Sequence, residues 1–471
     1  MTHAVVVGSG PNGLAAAVTL AAAGVTVRVL EAATVPGGGV RSSELTLPGL
    51  LHDECSAFHP LACDTPFSRR IDLARYGLHW LTPDLSYSHP LDGGRGSAAW
   101  RSLERTVEGL EGDGRRWRTV FGGVTRRLPR ITEDILVPAV HVPHHPLDLV
   151  RFGAAAGLPA HVLSKVWRGE SARALFAGVA AHAFRPFGTL ASSAIGFTLG
   201  AAAHRYGWPV ARGGSQAIAH AMIAALTDMG GTVETGITVS SLDMLSDADV
   251  VLLDVAPAAA ASIAGSRLPD RVARTLRKYR HGPGAFKVDY AVDGGIPWQH
   301  EDSRSAGTVH VGGSLKDIAD AEAQVARGRM PLRPFVLVGQ QSVVDPSRSL
   351  GGVQPVYSYA HVPAGYTGDA TAAIEAQIER FAPGFRDRIL MRHIRSTPAM
   401  AMHNVNYVGG DIVTGANDTR QLLLRPRPAL DPYSLGAPGL YLCSAATPPG
   451  AGAHGMCGYN AATSALKYLN R

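Results

Sequence analysis

Both ends of the 471-residue chain alternate short β-branched runs with Ala- and Leu-rich stretches, which predicts an α/β fold built on a parallel sheet. Two segments carry that prediction. At the start, the run AVVV (4–7) enters Gly8-Ser9-Gly10-Pro11-Asn12-Gly13. A helical stretch over 14–23 follows, stopped by Gly24, and then a second apolar run over 25–30 that ends in Glu31. At the other end, an apolar run over 439–443 leads into a loop of small residues, 444–458, and then a helical stretch over 459–469.

The first segment has the parts that a dinucleotide requires. Gly8, Gly10 and Gly13 let the backbone turn tightly and approach a pyrophosphate, which then sits on the helix N-terminus. Glu31 lies where a carboxylate accepts hydrogen bonds from a ribose diol, and no arginine follows it at once to receive a 2′-phosphate. This is a Rossmann-type arrangement. A second cluster, Gly37-Gly38-Gly39 with Arg41, is foreign to a nicotinamide fingerprint. It suits a longer cofactor, FAD, with Arg41 offsetting phosphate charge. The C-terminal loop gives a planar ring access to backbone, with another helix N-terminus behind it.

Composition narrows the partners. Hydrophobic residues make up 46% and charged residues 17%, enough for a large buried core. The net charge is only +6 and no basic run stands out, so nucleic acid is not expected. Cys55, Cys63, Cys443 and Cys457 have no CxxC spacing, which indicates neither a zinc site nor a disulfide framework. The apolar start is cut by glycines and lacks a signal-peptide cleavage site, so a cytoplasmic location is expected.

These termini resemble the phytoene dehydrogenase-like branch of FAD-dependent oxidoreductases, within the carotenoid desaturase and amine oxidase superfamily. The resemblance rests on VVVGSGPNGLAAA and VLEAATVPGG at the start, and on LRPRPALDPYSLGAPGLYLCSAATPPGAGAHGMCGYNAA at the end. Between them it continues through ARGGSQAIAHAMIAAL, GGTVETGITVSSL, GPGAFKVDYAVDGGIPW, YAHVP and NYVGGDI. It implies an FAD domain of the glutathione reductase-like type and an α+β substrate domain on a mixed sheet. Gly8, Gly10, Pro11, Asn12, Gly13, Glu31, Ala32, Gly37, Gly38 and Arg41 would line the ADP half of non-covalent FAD. Val239 would present backbone to the adenine. Ser444, Ala445, Gly455 and Met456 would face the ribityl chain and flavin ring, and Asn460 would begin the closing helix. Ser444 departs from the acid or glycine pair many relatives carry, and the segment 242–254 is shorter than theirs.

The same resemblance makes the FAD domain discontinuous, over 1–85, 205–275 and 400–471, with a substrate or cap domain over 86–204 and 276–399. Alternation over 285–292 reads as a half-buried strand of the substrate sheet. No second GxGxxG follows a strand, so no separate NADPH domain is expected, and dioxygen or a quinone would reoxidise the flavin. That favours dehydrogenation or desaturation of an apolar small molecule, by hydride transfer to the flavin. Oxidation of an amine or other polar metabolite, and flavin-dependent isomerisation without net redox change, are the alternatives.

His59, His454 and Tyr359 are the candidate catalytic side chains, with His361 beside Tyr359. Cys457 is a candidate covalent anchor, with a small buried thiol as the plainer reading. His141-Val-Pro-His-His145 has prolines and no accompanying acid in sequence, so it reads as a loop and no metal is expected. The apolar stretch 136–167 is an ordinary helix pair, a lid on the substrate entrance or a peripheral membrane contact. The oligomeric state has no sequence signature.

Overall fold

The computed structural model describes residues 2–470. Strand His3–Val7 is buried on both faces and lies between Thr26–Leu30 and Val250–Leu253, parallel to each. Thr232–Glu234 and Leu440–Leu442 extend this sheet at its two edges. Helices Pro11–Ala21, Gln216–Asp228 and Met456–Leu469 cover one face, where alanines and glycines allow close approach. A Cβ on Gly458 would meet the Asn12 carbonyl oxygen at 1.8 Å, so only glycine lets the last helix cross the first there.

A mixed seven-stranded sheet forms the second layer. Its order is Ile389–Arg395, Gly284–Asp293, Val353–Val362, Val336–Gly339, Thr308–Val311, Leu85–Pro90 and Gly96–Trp100. All neighbours are antiparallel except Thr308–Val311 beside Leu85–Pro90. Helices Gly114–Ile135, Glu170–Ala180 and Ala194–Arg205 pack over one side around Trp117, Phe121, Trp167 and Phe176. The Rossmann-type sheet and the mixed sheet are those the sequence predicts.

Three local expectations change. Strand Gly284–Asp293 is buried at nine of its ten residues, not half-buried. Its apolar face packs Phe286, Val288, Tyr290 and Val292, while Lys287 and Asp289 on the other face form a buried ion pair. The last helix begins at Met456, so Asn460 lies one turn inside it, and its side-chain amide donates to the Leu136 carbonyl at 2.9 Å. The loop 136–145 does have acids beside it. Asp134 accepts the backbone amides of His144 and His145 at 2.8 and 2.9 Å, and Glu133 meets His145 at 3.1 Å.

Candidate active site

The glycine turn, Glu31 and Asp254 form one unit. Glu31 follows strand Thr26–Leu30, and its carboxylate accepts the Ser9 amide and hydroxyl at 2.8 and 2.6 Å and the Ala33 amide at 2.8 Å. The Gly37 amide donates to the Ser9 hydroxyl at 3.2 Å, tying the second glycine cluster to the first. Beneath the turn, Asp254 accepts the Gly13 amide at 2.9 Å. Burial, then the nearby Glu31 charge, push the Asp254 carboxyl up to about 7, although the Gly13 and Gly10 amides oppose the shift.

The glycines are required for reasons the sequence shows only in part. A Cβ on Gly13 would lie 2.1 Å from the Gly8 carbonyl, the close helix–strand approach of this motif. A Cβ on Gly10 would lie 2.6 Å from Asp254 Oδ2, so a side chain there would already clash within the protein. Arg41 donates to the carbonyls of Gly38 and His403 at 3.1 and 2.8 Å. Ala32 is exposed, and Val239 is buried in the core beside Val5 and Leu30.

The residues fit a dinucleotide. Gly10 and Pro11 remain half-exposed at the N-terminus of Pro11–Ala21, next to the Glu31 carboxylate. The Asn12 side-chain carbonyl and the Ser444 hydroxyl are buried with no hydrogen-bond partner among the described residues. Such groups normally find partners: a ribityl hydroxyl can donate to the Asn12 carbonyl, and a ribityl or phosphate oxygen can accept from the Ser444 hydroxyl. Gly455 takes a left-handed conformation (φ 69°), and His454 Nδ1 accepts the Met456 amide at 3.1 Å, fixing the start of the last helix.

A cavity of about 820 Å³ opens against this loop. Pro448, Pro449, Ala451 and His454 line one side, and His59, Phe184, Tyr357 and Tyr359 line others. Leu136, Leu149 and Phe152 come from the apolar stretch 136–167, which thus forms part of the wall. Among the described residues, Asp134 is the single carboxylate lining the cavity. Burial lowers His59 and His454 to about 4, so both are uncharged at neutral pH. His59 Nε2 meets the Ser215 hydroxyl at 3.0 Å. Tyr359 stacks on Phe184, and His361 is instead tied to buried Glu322 at 2.6 Å. All three candidate catalytic side chains therefore reach one cavity.

Three features escaped the sequence reading. Arg425 is buried at the cavity wall, and donates to Gln421 O, Ala445 O and Asn417 Oδ1 at 3.0, 3.3 and 2.9 Å. Lys287 packs its ammonium over the Tyr357 ring at 4.3 Å, behind that wall. Asp254 had one available signal, an acid closing an apolar strand, but nothing local placed it under the glycine turn.

Residues 6–66 match the family described as the NAD(P)-binding Rossmann-like domain. The mouse protein named pyridine nucleotide-disulfide oxidoreductase domain-containing protein 2 is 40% identical over 86 residues, 18% of this chain and 15% of that protein. The rat protein of that name is 25% identical over 293 residues, 54% of this chain and 50% of its own length. The match thus spans half or less of these curated relatives. Among solved structures, an oxidoreductase from Methanosarcina mazei aligns with TM-score 0.64 at 14% identity, covering 99% of this chain and all of that one. Wild-type putrescine oxidase bound to putrescine gives 0.59 at 15%, covering 100% and 99%. Cyclohexylamine oxidase from Brevibacterium oxydans IH-35A gives 0.57 at 14%, with both chains fully covered. The fold is that of flavin-type oxidoreductases. No helix among the described residues is long and apolar enough to cross a membrane.

Proposed function

We propose that the protein is an FAD-dependent dehydrogenase or desaturase of an apolar small molecule. The supporting observation is the large cavity against the loop over 448–454, walled mainly by aliphatic and aromatic side chains. Bound FAD would take the two electrons as a hydride from one substrate carbon, and the proton lost from the neighbouring carbon would leave to a base or water. The chain's own residues bind and orient: Glu31 and the glycine turn hold the nucleotide, and the apolar wall excludes water. His59, uncharged there, is available to accept a proton, whereas the neutral His454 ring has its one lone pair engaged by the Met456 amide and shapes the loop. The segments 1–85, 205–275 and 400–471 would serve the cofactor, and 86–204 with 276–399 the substrate. Dioxygen or a quinone would reoxidise the flavin.

Oxidation of an amine is the second reading. The Tyr357 and Tyr359 rings, 5.8 Å apart at 87° on the cavity wall, offer faces to a cation. The Lys287 ammonium already behind Tyr357 opposes it. Anaerobic titration of the FAD-loaded protein decides between them. Bleaching at 450 nm by apolar alkenes or polyenes supports the first reading, bleaching by primary amines the second. A protein that takes up no FAD overturns both.

A further inference from the structure

The mixed sheet gives the apolar cavity one polar corner. Thr308 and His310 are two apart on Thr308–Val311, so their side chains leave the same face of the strand. Val309 and Val311 point into the opposite core. Thr308 lines the cavity and is fully buried, yet its hydroxyl has no hydrogen-bond partner among the described residues. The hydroxyl of Tyr87, its neighbour across the sheet, likewise has no partner among the described residues. His310 Nε2 lies 2.8 Å from the Nε2 of His182, and His182 lines the cavity beside Trp208.

The tautomers follow from where protons can be placed. Burial keeps His182 at about 3 and His310 far below its ordinary value, so the pair is neutral and one Nε2–H must donate to the other. His310 Nδ1 is buried with no partner among the described residues. A stranded N–H there is worse than a bare ring nitrogen. His310 therefore carries its proton on Nε2 and donates to His182, which carries its own on Nδ1 at the cavity wall.

We infer that this corner receives a neutral carbonyl oxygen of the substrate, with the Thr308 hydroxyl and the His182 Nδ1–H donating to its two lone pairs. The inference rests on the cavity being an apolar-substrate site, and adds to that substrate a carbonyl group. An ammonium would oppose the His182 N–H and find only the Thr308 oxygen to accept from it, and a carboxylate would meet no cation at this corner. A plain hydrocarbon would leave both donors desolvated and unpaired.

The test uses FAD-loaded protein with 2-decanone and 1-decene as probes. Calorimetric titration should show that Thr308→Val, an isosteric change, and His182→Leu each weaken 2-decanone binding by about fivefold, the scale of one neutral hydrogen bond. Binding of 1-decene should hold or tighten in both variants, because each removes a donor the hydrocarbon leaves unpaired, and this also excludes a folding defect. The infrared carbonyl stretch of bound 2-decanone should lie below its position in hexane and move back in either variant. Equal losses for both probes, no loss for either, or an unshifted stretch overturn the carbonyl corner and leave the apolar-substrate reading standing. Failure of both probes to bind wild-type protein overturns that reading as well.

Discussion

Asp254 Oδ2 accepts the Gly13 amide at 2.9 Å, placing a buried carboxylate directly under the turn proposed to hold a pyrophosphate. Its folded value of about 7 lies above the ordinary carboxylate range because burial and Glu31 disfavour the charge. The raised value fixes the sign: this group's contribution to stability is full below about pH 4 and is lost as pH rises through 7. We predict a loss of about 2–4 kcal/mol across that range from this group. Asp254→Asn keeps an acceptor for Gly13 and should flatten the slope, read from urea midpoints between pH 5 and 8. The FAD dissociation constant of wild type should also rise severalfold over pH 6–8, and that of the variant should not.

The same carboxylate changes what Gly10 is for. A Gly10→Val side chain would press on Asp254 Oδ2 even in the flavin-free protein. The variant should lose about 1–3 kcal/mol as flavin-free protein, the range for overpacking. Melting the flavin-free forms with and without Asp254→Ala checks this. An unchanged melting temperature for Gly10→Val would return the clash to the cofactor.

Glu31 holds the Ser9 and Ala33 amides in place as well as facing the site. Glu31→Ala should weaken FAD retention by about 1.5–3 kcal/mol, the scale of hydrogen bonds to a charged group. Flavin content after exhaustive dialysis reads this out, and wild-type retention in the variant would remove Glu31 from the ribose.

The parts that were legible in the sequence are those whose physics is local. The turn from Gly8 to Gly13, the helix behind it and the acid at the strand end all follow from neighbours within about thirty residues. Asp254 reaches Gly13 only because parallel pairing sets Val250–Leu253 beside His3–Val7, a contact across 241 residues. Period-two alternation over 285–292 correctly marked a strand but could not show that its polar face is buried. The His182–His310 contact spans 128 residues and joins a helical turn to a sheet, so no spacing rule announces it.

Lys287 and Asp289 supply the clearest test of that buried face. Burial alone would raise the Asp289 carboxyl, but Lys287, His393 and His52 outweigh it and hold it below the usual range. Removing one partner strands the other charge, so Asp289→Asn should cost about 3–5 kcal/mol. Replacing both, with Lys287→Met and Asp289→Leu, should recover most of it. Urea midpoints of the two variants decide. A single variant as stable as wild type would mean the pair is not buried as a charged unit.

Cys457 bears on how the flavin is held. It lies in the first turn of Met456–Leu469, and its thiol donates to the carbonyls of Gly450 and Thr447 at 3.3 and 3.4 Å. Burial pushes it up to about 12, so the nucleophilic thiolate is scarce at neutral pH. We predict non-covalent FAD. Acid precipitation of the purified yellow protein should send the flavin spectrum into the supernatant, for wild type and Cys457→Ala alike. A yellow pellet for wild type and a white one for the variant would instead identify the thiol as a covalent anchor.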